Sequence, residues 1–228
     1  MATQQPRGPM LKFVFSHSTR HPSAFLFLVQ ILGVLLYPFM EEARHAEIAL
    51  NIFGILVLCI TTGMVRRTPG LTWISAALAA VIIVLLALQM ARELPGLLPW
   101  SSGLEALFYF YAAGSLIAYM MEDYRTTTDE LFAAAATFTL LAWGFTHCFV
   151  VTQALHPHAF SAPGEPALRT WSDLNHLSFA LLSSTGMGAI VAVSSHARAI
   201  ASLEMMVGVM YLAGVVTRLI AFTTQTRG

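Results

Sequence analysis

Charge is scarce in this chain: twelve basic and twelve acidic side chains among 228 residues, 11% of the total, with a formal net charge of zero. No basic patch with interleaved aromatics occurs, so nucleic acid is not an expected partner. Cysteine is rarer still. Cys59 and Cys148 both fall inside apolar blocks, where a small thiol packs as a hydrophobe, and two such residues make neither a disulfide framework nor a metal-ligand pattern. A paired nucleophile and base is missing, as is a metalloprotease spacing such as H-E-x-x-H. The expectation is a protein that is not an enzyme and carries no cofactor. Extended polar stretches that would build a soluble domain are lacking too.

What the chain has is apolar length. Hydrophobic residues make up 57% of it and the mean hydropathy is +0.69. They gather in blocks of about twenty, the length a helix needs to cross a bilayer. Spans are predicted from Ser23 to Met40, Ala46 to Met64, Leu71 to Met90, Gly103 to Met121, Leu131 to Leu155 and His196 to Phe222. The first is expected to remain as a helix, because it is long and runs into Glu41 and Glu42 without a small-x-small cleavage site. Arg7, Lys12, Arg20, Arg66, Arg67, Arg125, Arg218 and Arg227 fall on one side of this arrangement, and Arg44, Arg92, Arg169 and Arg198 on the other. That imbalance places both termini in the cytoplasm of a multi-pass inner-membrane protein.

Between the fifth and sixth spans lies a segment of another kind. After the loop HPHAFSAPGEPALR, Thr170 is placed to cap a helix that starts at Trp171, and Asp173 sits near its positive end. From Trp171 to Ser183 such a helix reaches only about 20 Å, against a hydrocarbon core of about 30 Å. It enters the membrane without crossing it. The backbone that follows is tolerated at that depth only where protein or a water-filled path surrounds it. Gly186 and Gly188, alternating with Thr185 and Met187, can adopt positive φ and turn successive carbonyls to one side. A row of carbonyls replaces the hydration shell of a cation.

The stretch SFALLSSTGMGAIVAVSSHARAIASLEMMVGVMYLAGVVTRLI resembles the pore-forming half of the tetrameric potassium-channel superfamily, in the form with two helices and a pore loop that is common in bacteria. The pattern T-x-G-[YF]-G-D of that family falls on Ser184, Thr185, Gly186, Met187, Gly188 and Ala189. The likeness extends from Glu130 to Ala221 in layout and is specific from Phe179 to Leu219. It implies a homotetramer whose four loops surround one axis, with potassium as the permeant ion held at Ser184, Thr185, Gly186, Met187 and Gly188, and no further metal. It also implies a gating hinge at Gly208, twenty residues after Gly188; close helix packing is the other reading of that glycine. Three departures stand out. Ser184 keeps a hydroxyl where the family has threonine, Met187 replaces the aromatic that braces the filter, and Ala189 replaces an acid at the outer mouth.

The expected architecture is therefore an all-α membrane protein with six transmembrane helices, a re-entrant pore helix and a filter loop, completed as a tetramer in the lipid bilayer. It divides into a tail at 1–22, a four-helix domain at 23–121 and a pore module at 122–228. The fourth span carries Glu105 and no arginine, so voltage sensing is not expected. Glu204 in the last helix and His176 in the pore helix are modulatory candidates. His156 and His158 in the outer loop, with His176, could sense protons or metal, exposed loop histidine being the other reading. Gln30, Asn51, Gln89 and His147 are expected to bond neighbouring helices, and Thr127 to Glu130 has the form of a capping box. A non-conducting receptor or auxiliary subunit is the alternative function. A secondary transporter fits less well, because no second broken segment repeats.

Overall fold

Hydroxyl groups are carried through the apolar segments by bonding back to their own helix. Thr62 donates to the Leu58 carbonyl (2.8 Å), Ser115 to Tyr111 (2.9 Å), Thr137 to Ala133 (2.7 Å) and Thr152 to Cys148 (2.7 Å). These hydroxyls therefore keep a partner within an apolar segment. The computed structural model describes residues 22–41, 46–65, 72–92, 95–121, 127–161 and 168–225. Residues 1–21, which hold nearly all of the expected tail, lie outside these, as do most of the arginines that orient the spans.

Seven α-helices account for most of the described chain. They are α1 (Pro22–Glu41), α2 (Ala46–Val65), α3 (Thr72–Arg92), α4 (Leu98–Met120), α5 (Thr128–Leu155), α6 (Trp171–Leu182) and α7 (Ser195–Gln225). A 3-10 turn at Pro95–Leu97 leads into α4. Proline in the first turn of α4 starts it about five residues earlier than the apolar pattern predicts. Among the described residues, α4, α5 and α7 contain the three stretches long and apolar enough to cross a membrane, and α1, α2 and α3 contribute shorter apolar stretches.

Helix starts follow local chemistry. Thr127 accepts from the Glu130 amide (3.3 Å) and opens α5 three residues before the predicted span. At α6 the capping box is reciprocal: the Asp173 amide donates to Thr170 Oγ1 (3.2 Å) and the Thr170 amide to Asp173 Oδ2 (3.1 Å). Asp129 serves α1 from a distance, accepting from the amide and the hydroxyl of Ser23 at 3.1 and 2.8 Å.

The most extensive interface joins α4 to α5, while α1 packs on α5 and α2, and α6 is held between α5 and α7. One apolar cluster runs from Leu26 in α1 through Phe108, Leu140 and Trp143 to Leu182 at the end of α6, crossing the boundary expected near 121. A second cluster gathers Phe149, Phe160, Leu174, Leu177 and Ala201. Two short strands, β1 (Phe160–Ser161) and β2 (Val191–Ala192), pair antiparallel with Phe160 opposite Ala192. No feature of the sequence had pointed to them.

Expected interhelical hydrogen bonds are present at two positions, and a close polar contact at a third. Gln30 Nε2 donates to the Ala136 carbonyl (3.2 Å), Gln89 Nε2 to Ser101 Oγ (3.0 Å), and His147 Nδ1 lies 3.2 Å from Glu105 Oε2. The side chain of Asn51 lies outside the described residues. Cys59 and Cys148 are free thiols.

Candidate functional site: the loop after the short helix

Helix α6 has twelve residues, which at 1.5 Å each is about 18 Å. Its first turn is wedged among aromatics: Trp171 stacks on Tyr37 of α1 with ring centroids 4.3 Å apart, and meets Trp143 and His147 of α5 edge-on. One face is buried, including Leu174, Asn175, Leu177 and Ser178. Asn175 Oδ1 accepts from the Thr146 hydroxyl (3.2 Å) and Ser178 donates to the Ala142 carbonyl (2.7 Å). These polar residues three apart share the α5 side of the helix.

The end of α6 is closed by a Schellman turn. Ser183 is the last near-helical residue and Ser184 adopts the left-handed conformation (φ +60°). The Thr185 amide reaches back to the Ala180 carbonyl (3.0 Å) and the Ser184 amide to that of Leu181 (3.0 Å). The Gly186 amide also donates to Ala180 (3.1 Å). The last-turn carbonyls of α6 are therefore largely occupied by the chain itself, and the helix end offers little free negative charge.

Those bonds orient the loop. In a trans peptide the carbonyl points opposite to the amide hydrogen of the next residue. Because the amides of Thr185 and Gly186 both aim at Ala180, the carbonyls of Ser184 and Thr185 both point away from α6, toward the same side. Further along, φ is positive again at Gly186 (+63°) and Gly188 (+151°), and Ser184 is the only non-glycine with positive φ among the described residues. Alternating handedness of this kind brings successive amides to one side and leaves the carbonyls on the other.

Residues 184–189 are all exposed in the single chain, Met187 to 72%. Its side chain projects outward and does not fill the space behind the loop. The remaining candidates gather around the same place. His176 lies beside Gly188, with Cδ2 and Nε2 3.6 and 3.7 Å from where a Cβ on that glycine would stand. It also lines a cleft of about 230 Å³ between α1 and α6 with Val34, Tyr37 and Phe179. Glu204 is fully buried on α7 and takes a hydrogen bond from Ser178 of α6. Gly208 is buried where α7 crosses the end of α6, and a Cβ there would run into the Leu182 carbonyl. Helix α7 runs unbroken past it, and the contact with Leu182 is a close-packed one.

Sequence reading missed the partners of these residues. Ser178 and Asn175 carried a usable signal, being the polar pair on one face of a short helix in an apolar context. The pairing of Glu105 with His147, and the stacking of His147 on Tyr109 (ring centroids 5.6 Å apart), left none.

Serine in the left-handed region costs on the order of 1 kcal/mol relative to glycine. Ser184→Gly should raise the thermal midpoint of the purified protein slightly, whereas Ser184→Val, β-branched, should lower the midpoint through a stability loss of about 1–3 kcal/mol. Equal midpoints in both variants would show that the turn does not hold this backbone.

No family model, curated protein or solved structure matches this chain.

Proposed function

We propose that the chain is a subunit of a passive cation channel of potassium-channel type, in which four copies of Ser184 to Gly188 surround one axis. The observation that carries this reading is the exposed loop in which the Ser184 and Thr185 carbonyls turn the same way at the end of a helix too short to cross. Backbone of that kind cannot face lipid. Its exposed side needs water, an ion or neighbouring copies, and a single chain cannot enclose a pore. In this reading α1 to α5 and α7 are the six spans, α6 is the re-entrant helix, and both termini are cytoplasmic in the inner membrane. Potassium is the permeant ion, with no catalytic step and no cofactor.

A second reading, a channel relative that does not conduct, draws on the exposed Met187 side chain. Methionine has no donor with which to pin the loop.

Purified protein in planar bilayers under opposed potassium and sodium gradients tests the proposal, together with the particle mass in nanodiscs. Four chains and a potassium-dependent reversal potential are expected, with weaker discrimination from sodium than braced filters give. Met187→Tyr, combined with Ala189→Asp, should sharpen selectivity. Tetramers silent in the native form and in that variant would favour the second reading, and a stable monomer or dimer would remove the pore.

A further inference from the structure

Two imidazoles meet at the end of the bundle where the loop rejoins α7. His156 is the C-cap residue of α5 and His196 the second residue of α7. Their ring centroids are 4.9 Å apart and their planes lie within 10° of parallel. Both residues are exposed.

The elements that carry them are fixed to one another. The Ala159 amide closes the turn onto the His156 carbonyl (2.9 Å), and the Ala159 carbonyl accepts the amides of Val193 (2.8 Å) and Ser194 (3.2 Å). Phe160 and Ser161 pair with Ala192 and Val191 beside this point. Ser194 Oγ then caps α7 by accepting from the Ala197 amide (3.1 Å). Ala159, Phe160 and Ala197 are buried in the second apolar cluster. The two histidines therefore extend from a rigid corner, and little order has to be gained when they hold something together.

We propose that His156 and His196 form a two-imidazole site for a borderline transition-metal ion such as Zn²⁺ or Ni²⁺, clamping the end of α5 to the start of α7. Neutral imidazole binds these ions through a ring nitrogen at about 2.0–2.1 Å. In the stacked arrangement the lone pairs lie in near-parallel planes, so binding requires the exposed rings to turn about χ2 until a nitrogen of each faces the ion. Among the described residues no group of three His, Cys, Asp or Glu side chains gathers. Water completes the coordination, and the ion exchanges readily. An all-nitrogen protein donor set selects against Mg²⁺ and Ca²⁺, which require oxygen ligands. Arg198, the nearest cation along α7, directs its Nε to the Ala192 carbonyl (3.2 Å).

Strand β2 immediately follows the exposed loop, so a bound ion fixes the segment leaving it. That consequence rests on the channel reading; metal binding does not.

Calorimetric titration of tag-free protein in detergent with Zn²⁺, Ni²⁺ and, for comparison, Mg²⁺ tests the site. Saturable binding of Zn²⁺ and Ni²⁺ at one ion per chain is expected, weakened by roughly tenfold or more in His156→Ala and in His196→Ala. It should be unchanged in His158→Ala and absent for Mg²⁺. If either alanine variant loses its native elution profile, His156→Gln and His196→Gln repeat the comparison with a bulkier polar group. No saturable binding, or binding equal in the native protein and both variants, would overturn the proposal. Binding that survives this test while Zn²⁺ leaves bilayer currents unchanged would count against the channel consequence alone.

Discussion

Gly208→Ala should lower the stability of the protein by about 1–3 kcal/mol, the range for forcing extra volume into a packed contact. The added methyl would meet the Leu182 backbone: its carbonyl oxygen first, then the carbonyl carbon at 2.8 Å and Cα at 2.9 Å. Backbone atoms cannot swing aside as a side-chain tip does. Either α7 is displaced or the end of α6 is, and the exposed loop begins two residues after Leu182. Gly214 is the matched control. It lies in the same helix with nothing within 4 Å of its Cβ position, so Gly214→Ala should be neutral or stabilising by up to about 1 kcal/mol. Thermal unfolding in one detergent compares the pair directly. If Gly208 acts only as a hinge, both variants should be at least as stable as the native protein and differ from it in opening alone. A loss confined to Gly208→Ala makes this glycine the seat of the short helix.

The parts of the structure legible in the sequence are those set by neighbours along the chain. Apolar blocks placed the long helices within a few residues, because each needs only continuous hydrophobic length. Thr170 and Asp173 marked the start of α6 because a capping box is a three-residue device. Positive φ at Gly186 and Gly188 followed from the freedom of glycine. The same reasoning passed over Ser184, whose left-handed backbone is imposed by the Schellman turn and not by its own preference. Two-residue strands are too short for alternation to reveal, so β1 and β2 were invisible. Contacts between distant positions were equally hidden. The sequence presents Glu105 as an isolated charge and His156 as a loop histidine, and folding brings His147 to the first and His196 to the second.

Glu204 shows most clearly how a residue chosen from sequence gains its meaning from a partner. An acid in an apolar helix is costly unless something meets it, and what meets it is Ser178, on the helix that ends in the exposed loop. The Ser178 hydroxyl also reaches the Ala142 carbonyl of α5 at 2.7 Å, so one side chain ties three helices together. It has one proton for two acceptors. Glu204 accepts from that hydroxyl, and the amide oxygen of a glutamine can accept in the same way. Glu204→Gln should keep most of the native thermal stability. Glu204→Ala removes the bond and leaves a void, for a loss of about 2–4 kcal/mol. Ser178→Ala leaves the acid buried without its partner, for about 1–3 kcal/mol. The Ala142 carbonyl keeps the Thr146 hydroxyl at 2.8 Å in every case, so it adds little to these differences. The double variant should lose clearly less than the sum of the two single ones, with a coupling of about 0.5–3 kcal/mol. Losses that simply add would mean that Glu204 and Ser178 are buried side by side without acting together.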